Sequence, residues 1–94
     1  MAQFPPIELL KATHSFPGPY IFKVIAELDD TLVTRLVTSI RDELKWKEDP
    51  KYTLRETTQG KHVSVTFELV MRTAEEIHLV YERLLKEKGV LLLL

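Results

Sequence analysis

From His62 to Met71, apolar and polar side chains alternate without a break. Val63, Val65, Phe67, Leu69 and Met71 form one set, and His62, Ser64, Thr66 and Glu68 form the other. A period of two sustained this long predicts a strand with one buried face. Thr73-Ala74-Glu75-Glu76 follows almost at once and has the form of a capping box, with Thr73 at the N-cap and Glu76 at the third helical position. The next residues, to about Lys88, repeat Ala74, Ile77, Tyr81, Leu84 and Leu85 at helical spacing. Gly89 suits the C′ position, and residues 90–94 read as a last strand. A half-buried strand feeding directly into an amphipathic helix is one half of a two-layer α+β unit.

The other half lies upstream. Tyr20, Phe22, Val24, Ala26 and Leu28 share one face of a strand over residues 20–28, and Ile21, Lys23, Ile25 and Glu27 share the other. Asp29 or Asp30 can cap the helix that follows, whose stripe is Val33, Leu36, Val37, Ile40 and Leu44 and which ends before Pro50. Its β-branched residues give it poor intrinsic propensity, so packing must hold it. Residues 52–57 read as a short strand, joined to the long one by a turn at Thr58-Gln59-Gly60-Lys61 with Gly60 at positive φ. The order β-α-β-β-α-β with right-handed crossovers gives an α+β, ferredoxin-like βαββαβ two-layer sandwich, its antiparallel sheet ordered 4-1-3-2. Residues 1–19 hold four of the five prolines and read as an N-terminal arm, with at most a turn or two of helix after Pro6. Residues 20–94 form the single domain.

Composition then removes whole classes of function. The chain has 94 residues, 45% of them hydrophobic, and a net charge of −1, which fits one folded core and not a disordered chain. It has no cysteine, so disulfides, thiolate metal sites and cysteine nucleophiles are out. The near-zero charge supplies no field for nucleic acid. The first residues lack the basic and apolar regions of a secretory signal, and no apolar run approaches a membrane span, so a cytoplasmic location without membrane contact is the expectation.

The segment Phe16-Pro-Gly-Pro-Tyr-Ile-Phe-Lys-Val-Ile25 resembles the "FP-x-P-[FY]-x-[FY]-K-V" entry into strand one of the YbeD-like proteins. Residues 57–65 resemble their "S-S-x-G-x-Y-x-S-V" hairpin, and Tyr81 and Leu84 match the "Y-x-x-L" of their second helix. The likeness runs from about Glu8 onward. The family's serine pair is Thr57-Thr58 here, and its tyrosine is His62. The resemblance implies a small bacterial protein of unestablished activity, with a fold similar to ACT regulatory domains, and hence a regulatory or binding role.

No set of residues assembles into a catalytic site. The chain has no asparagine and only isolated glycines, so it offers no phosphate cradle. His14, His62 and His78 lack metal-ligand spacing, and neither metal nor cofactor is expected. His62 and Ser64 share a strand face but have no orienting third group. Trp46 sits off the stripe of its helix, as a partly buried residue or an interface anchor. The protein is therefore read as a non-enzyme. Thr57, Thr58, Gly60, His62 and Ser64 are the candidate contacts for a small metabolite. Ile21, Ile25, Leu92 and Leu94 are the candidate contacts for a protein partner or a second copy in a homodimer. They fall on the apolar half of the open sheet face, beside an edge strand with nothing to protect it from pairing. That face is covered either by the arm, through Leu9, Leu10 and Phe16, or by another subunit. The alternative to a ligand-binding regulator is a protein-interaction module without a small ligand.

Overall fold

Ten consecutive residue pairs, from Gly18 opposite Met71 to Glu27 opposite His62, zip the first strand to the third and set the frame of the molecule. The computed structural model describes residues 4–56 and 60–94. Its elements are α1 (Ile7–Thr13), β1 (Gly18–Glu27), α2 (Leu32–Leu44), β2 (Tyr52–Glu56), β3 (His62–Met71), α3 (Ala74–Leu85) and β4 (Val90–Leu93). The sheet order β2-β3-β1-β4 is the expected 4-1-3-2 read from the other edge, and all pairings are antiparallel. The ferredoxin-like arrangement is thus present, with α1 added in front of it.

The alternation in β1 and β3 does what it predicts. Phe22, Val24 and Ala26 are buried with Val63, Val65, Phe67, Leu69 and Met71, and α2 and α3 close over them with Leu36, Ile40, Ile77 and Leu84. Burying side chains of this size is worth roughly 1.5–3 kcal/mol each, which carries the β-branched α2 despite its poor propensity. Some expectations shift at element ends. Leu28 is exposed because β1 stops at Glu27, and Leu85 is exposed because it lies about 100° around the helix from Leu84. Leu32 and Val80 are buried in the two stripes as well, while Val33 is only partly covered.

Both helix starts differ in detail from the motif. Thr31 occupies the N-cap of α2 without a side-chain cap; Asp29 sits two residues earlier and accepts from the Thr31 backbone N–H (2.8 Å) and hydroxyl (3.0 Å). At α3, Thr73 accepts from the Glu76 N–H at 3.0 Å, as a capping box requires. The Glu76 carboxylate, however, reaches back to Arg72, taking its backbone N–H at 2.8 Å and its guanidinium at 2.7 and 2.9 Å. The forked, charged donor outcompetes the single N–H of Thr73.

α2 ends on Lys45, whose φ of 57° puts a side chain in the left-handed region. Its N–H returns to Arg41 and Asp42, and the Trp46 N–H bonds the Arg41 carbonyl at 2.9 Å. This is a position glycine would fill without strain. Lys45→Gly is expected to stabilise the fold by about 0.5–1 kcal/mol, read as a rise of a few degrees in Tm. Gly89, expected just past α3, does adopt φ 92°, but it lies in the turn beyond a helix that stops at Leu85, and its carbonyl accepts from the Glu27 N–H at 2.9 Å.

Among the described residues, the arm does not cross the open face. α1 packs on α3, on the helix side of the sheet, with Leu10 buried and Leu9 exposed. The Phe4 ring stacks on Tyr81 at 4.8 Å, and His78 Nε2 donates to the Pro5 carbonyl at 2.6 Å. Phe16 is partly buried against the core. At Gly18, a Cβ would run into the Ser15 carbonyl oxygen, which explains a glycine between two prolines.

Candidate functional site

With the arm on the helix layer, the four strands present their second face. Its composition follows from the register. On β1 the outward residues are Ile21, Lys23 and Ile25; β3 sets Glu68, Thr66 and Ser64 beside them. β2 adds Thr53 opposite Thr66 and Arg55 opposite Ser64. β4 places Leu92 opposite Ile25, and Leu94 exchanges both backbone hydrogen bonds with Lys23, at 2.8 and 3.2 Å. Leu93, opposite Val24, turns to the core, and the register slips between Ile25 and Ala26, leaving Leu91 at an exposed irregularity.

Of the four residues singled out for a partner, Ile21, Leu92 and Leu94 are 56%, 48% and 57% exposed, and Ile25 is partly buried between its neighbours. Val70, opposite Pro19 on the same face, is 60% exposed and extends the apolar patch past Ile21. Sequence reading passed over Val70; counting the β3 alternation two residues beyond Glu68 would have found it. Two shallow concavities flank Ile21 and Glu68. One, about 290 Å³, is bounded by Lys51, Tyr52, Thr53 and Thr66; the other, about 400 Å³, by His14, Pro19 and Tyr20.

The residues singled out for a small ligand are only partly brought together. Thr57 and Thr58 lie outside the described residues. Gly60 has the positive φ expected of the turn, at 68°. His62 stands opposite Glu27 at the start of β3, and Ser64 stands between Ile25 and Arg55 on the open face. Among the described residues no three His, Asp or Glu side chains are placed to hold a metal ion.

The other aromatic and histidine candidates have structural partners. His78 fastens the arm, and its ring lies edge-on to Phe4 at 5.5 Å. His14 Nδ1 lies 2.9 Å from the Thr13 hydroxyl. Trp46 is partly buried against the core. Tyr81 is buried and its hydroxyl is 3.0 Å from that of Tyr20. Burial, and then the Tyr20 hydroxyl, push the Tyr81 phenol well above its usual range.

A polar cluster that sequence reading did not anticipate ties α2 to the turn before β4. Arg35 donates to Glu87 (3.1 Å), the Lys88 carbonyl (3.1 Å), Asp29 (3.0 Å) and the Thr31 hydroxyl (3.1 Å), and the Ser39 hydroxyl donates to Glu87 at 2.8 Å. The nearby concavity of about 520 Å³, bounded by Glu27, Leu28, Asp29, Asp30, Lys88 and Gly89, lies at the sheet's end and not on its face. The Thr31 N–H and hydroxyl, more than Arg35, hold the Asp29 carboxyl below its ordinary range. A carboxyl with a lowered folded-state pKa contributes fully above the ordinary range and loses that contribution as pH falls through the folded value. Asp29→Asn should therefore lower Tm near neutrality and change little at acid pH, which flattens the acid side of a Tm-against-pH curve.

No helix of the described residues is long and apolar enough to cross a membrane. A UPF0250 protein from Shewanella loihica is 29% identical over 75 residues, 80% of this chain and 83% of that one. The solution structure of protein HP0495 from H. pylori matches with a TM-score of 0.67 over 99% of this chain and 98% of that one; at 14% identity it speaks to the fold alone. The family model described as "Protein of unknown function (DUF493)" matches residues 11–94. That span takes in the proline-flanked entry to β1, the hairpin and the α3 motif that read as YbeD-like, and the chain belongs to the DUF493 family.

Proposed function

We propose that this protein is a non-enzymatic regulatory module of the ACT-like kind that works by binding a protein surface through the open face of its sheet. One observation carries this reading: Ile21, Val70, Leu92 and Leu94 stay about half exposed or more on one face, while the arm that could have covered them is spent on α3. A contiguous apolar patch rimmed by polar residues is the signature of an interaction surface. The fold itself hosts many functions, so function is to be sought on this face and not in the plait.

The test is positional. A photo-reactive side chain placed at Ile21 or Leu92 should give protein adducts in cells, and one placed at Glu82, exposed on α3, should not. Equal labelling from both layers would overturn the reading. So would a selective Tm increase on the order of 10 °C with an amino acid or nucleotide, which would move the function to a small-ligand site.

A further inference from the structure

Resting on the reading of this face as the binding surface, we infer that its occupant is an acidic amphipathic helix of a partner protein, with its apolar side on Ile21, Ile25 and Leu92 and its carboxylates on Lys23, Lys51 and Arg55. The chain has five arginines, and Arg35, Arg41, Arg72 and Arg83 each lie within ion-pair distance of a carboxylate. Arg55, exposed on the open face opposite Ser64, has no such partner among the described residues. Nor do Lys23 and Lys51, both exposed. Glu68 is the carboxylate set among them: it is diagonal to Lys23 and shares the concavity beside Ile21 with Lys51. Glu27 stands at the end of the ladder opposite His62, four residues beyond Lys23 and about 13 Å along the strand. Among the described residues, the middle of the face therefore holds three cations to one carboxylate, interspersed with the hydroxyls of Thr53, Ser64 and Thr66.

Covering unpaired cations is costly unless the covering surface brings carboxylates. A second copy laid face to face would bring the same excess of positive charge. A nucleic acid would answer the charge but not the rest of the face. None of the outward strand residues is Phe, Tyr or Trp, on which bases stack, and the chain's net charge is −1. A carboxylate-bearing protein segment with an apolar side answers both halves. Arg55 can take a carboxylate through two parallel N–H bonds, and Lys23 and Lys51 can each take one as a point charge.

The apolar stripe sets the shape of the segment. It runs from Val70, opposite Pro19, through Ile21 to Ile25 and its neighbour Leu92. Its ends are about six residues apart along β1, roughly 20 Å, and β1 with β4 make it about 10 Å wide. An α-helix of about 14 residues is that long and that wide. Lys51 and Arg55 flank the stripe on β2, about 13 Å from each other and about 10 Å from β1 across β3. Two glutamates about seven or eight residues apart on the helix, roughly 11–12 Å, would face them together. Lys23 rises within the stripe, where its stem can lie on the apolar surface while its ammonium meets a third carboxylate.

Two synthetic helical peptides of about 16 residues test this against the isotope-labelled full chain by NMR titration. Both carry leucine on one side; one is flanked by glutamate and the other by lysine at the same positions. The glutamate peptide should bind with a Kd on the order of 100 μM and shift the amides of Ile21, Lys23, Ser64, Thr66 and Leu92, leaving α3 unmoved. The lysine peptide should bind at least tenfold more weakly. Lys23→Glu and Arg55→Glu, at exposed positions, should keep the native circular dichroism and together reverse that preference. Equal binding of the two peptides overturns the inference, as does no binding up to about 1 mM or a preference that survives both reversals. Shifts confined to the Leu91 and Leu93 amides overturn it in favour of a strand added at the β4 edge. A single-stranded oligonucleotide that binds more tightly than the glutamate peptide overturns it in favour of nucleic acid, and a dimer that buries Ile21 does so in favour of a second copy. If the glutamate peptide fails but Ile21 still crosslinks to other proteins in cells, the binding-face reading stands and only the acidic helix falls. If that position gives no adduct either, both fall.

Discussion

Leu10→Ala is expected to cost about 2–4 kcal/mol of global stability, the range for emptying a buried leucine site that can only partly collapse. Leu10 is 1% exposed although it sits in a seven-residue helix ahead of the sandwich. An isolated helix of that length is not stable in water. α1 therefore exists because α3 receives it: Leu10 enters the core, Phe4 covers Tyr81, and Pro5 accepts from His78. The Lys11–Glu75 pair at 3.3 Å is largely exposed and adds little. Urea unfolding followed by circular dichroism and by Trp46 fluorescence should show one shared transition moved to lower urea. A loss under about 1 kcal/mol would mean that the arm only rests on α3.

Glu87→Ala is expected to cost about 2 kcal/mol, chiefly through Ser39. The Ser39 hydroxyl is in a residue only 2% exposed, and its partner is Glu87. Truncation leaves that hydroxyl buried and unpaired. Arg35 suffers less, because it keeps Asp29, the Lys88 carbonyl and the Thr31 hydroxyl, and its partial exposure discounts the lost ion pair. Ser39→Ala should cost less than Glu87→Ala, and the double variant should cost less than the sum, since the orphaned donor is gone. Chemical denaturation of the four proteins closes the cycle. Strict additivity would show that the Ser39–Glu87 contact contributes nothing of its own.

How far the sequence could be read depends on the distance over which each feature is decided. The bounds of β3 were legible to the residue because alternation, a glycine turn and a capping threonine flank it within a dozen positions. β1 begins two residues earlier than its pattern shows, since Gly18 and Pro19 join the ladder opposite Met71 and Val70 without taking part in the alternation. The side on which the arm lies was not legible. It is decided by His78, 73 residues from Pro5, and no local pattern encodes that choice. The same holds for the Arg35–Glu87 contact, 52 residues apart. The open face was readable in outline from strand order and alternation, including Ile21, Ile25, Leu92 and Leu94. The diagonal placement of Lys23 and Glu68 needed the actual register, and Thr57 and Thr58 fall outside the described residues.

The central position of β1 has a consequence for how the protein is made. Its neighbours are β3, more than thirty residues downstream, and β4, later still. Until those segments emerge, the early-made strand has neither edge satisfied and carries Phe22, Val24 and Ile25 in the open. Pairings this distant close slowly. Residues 20–26 are thus the stretch of the nascent chain most in need of shelter, and a chaperone scanning for exposed apolar strands during synthesis should engage them first.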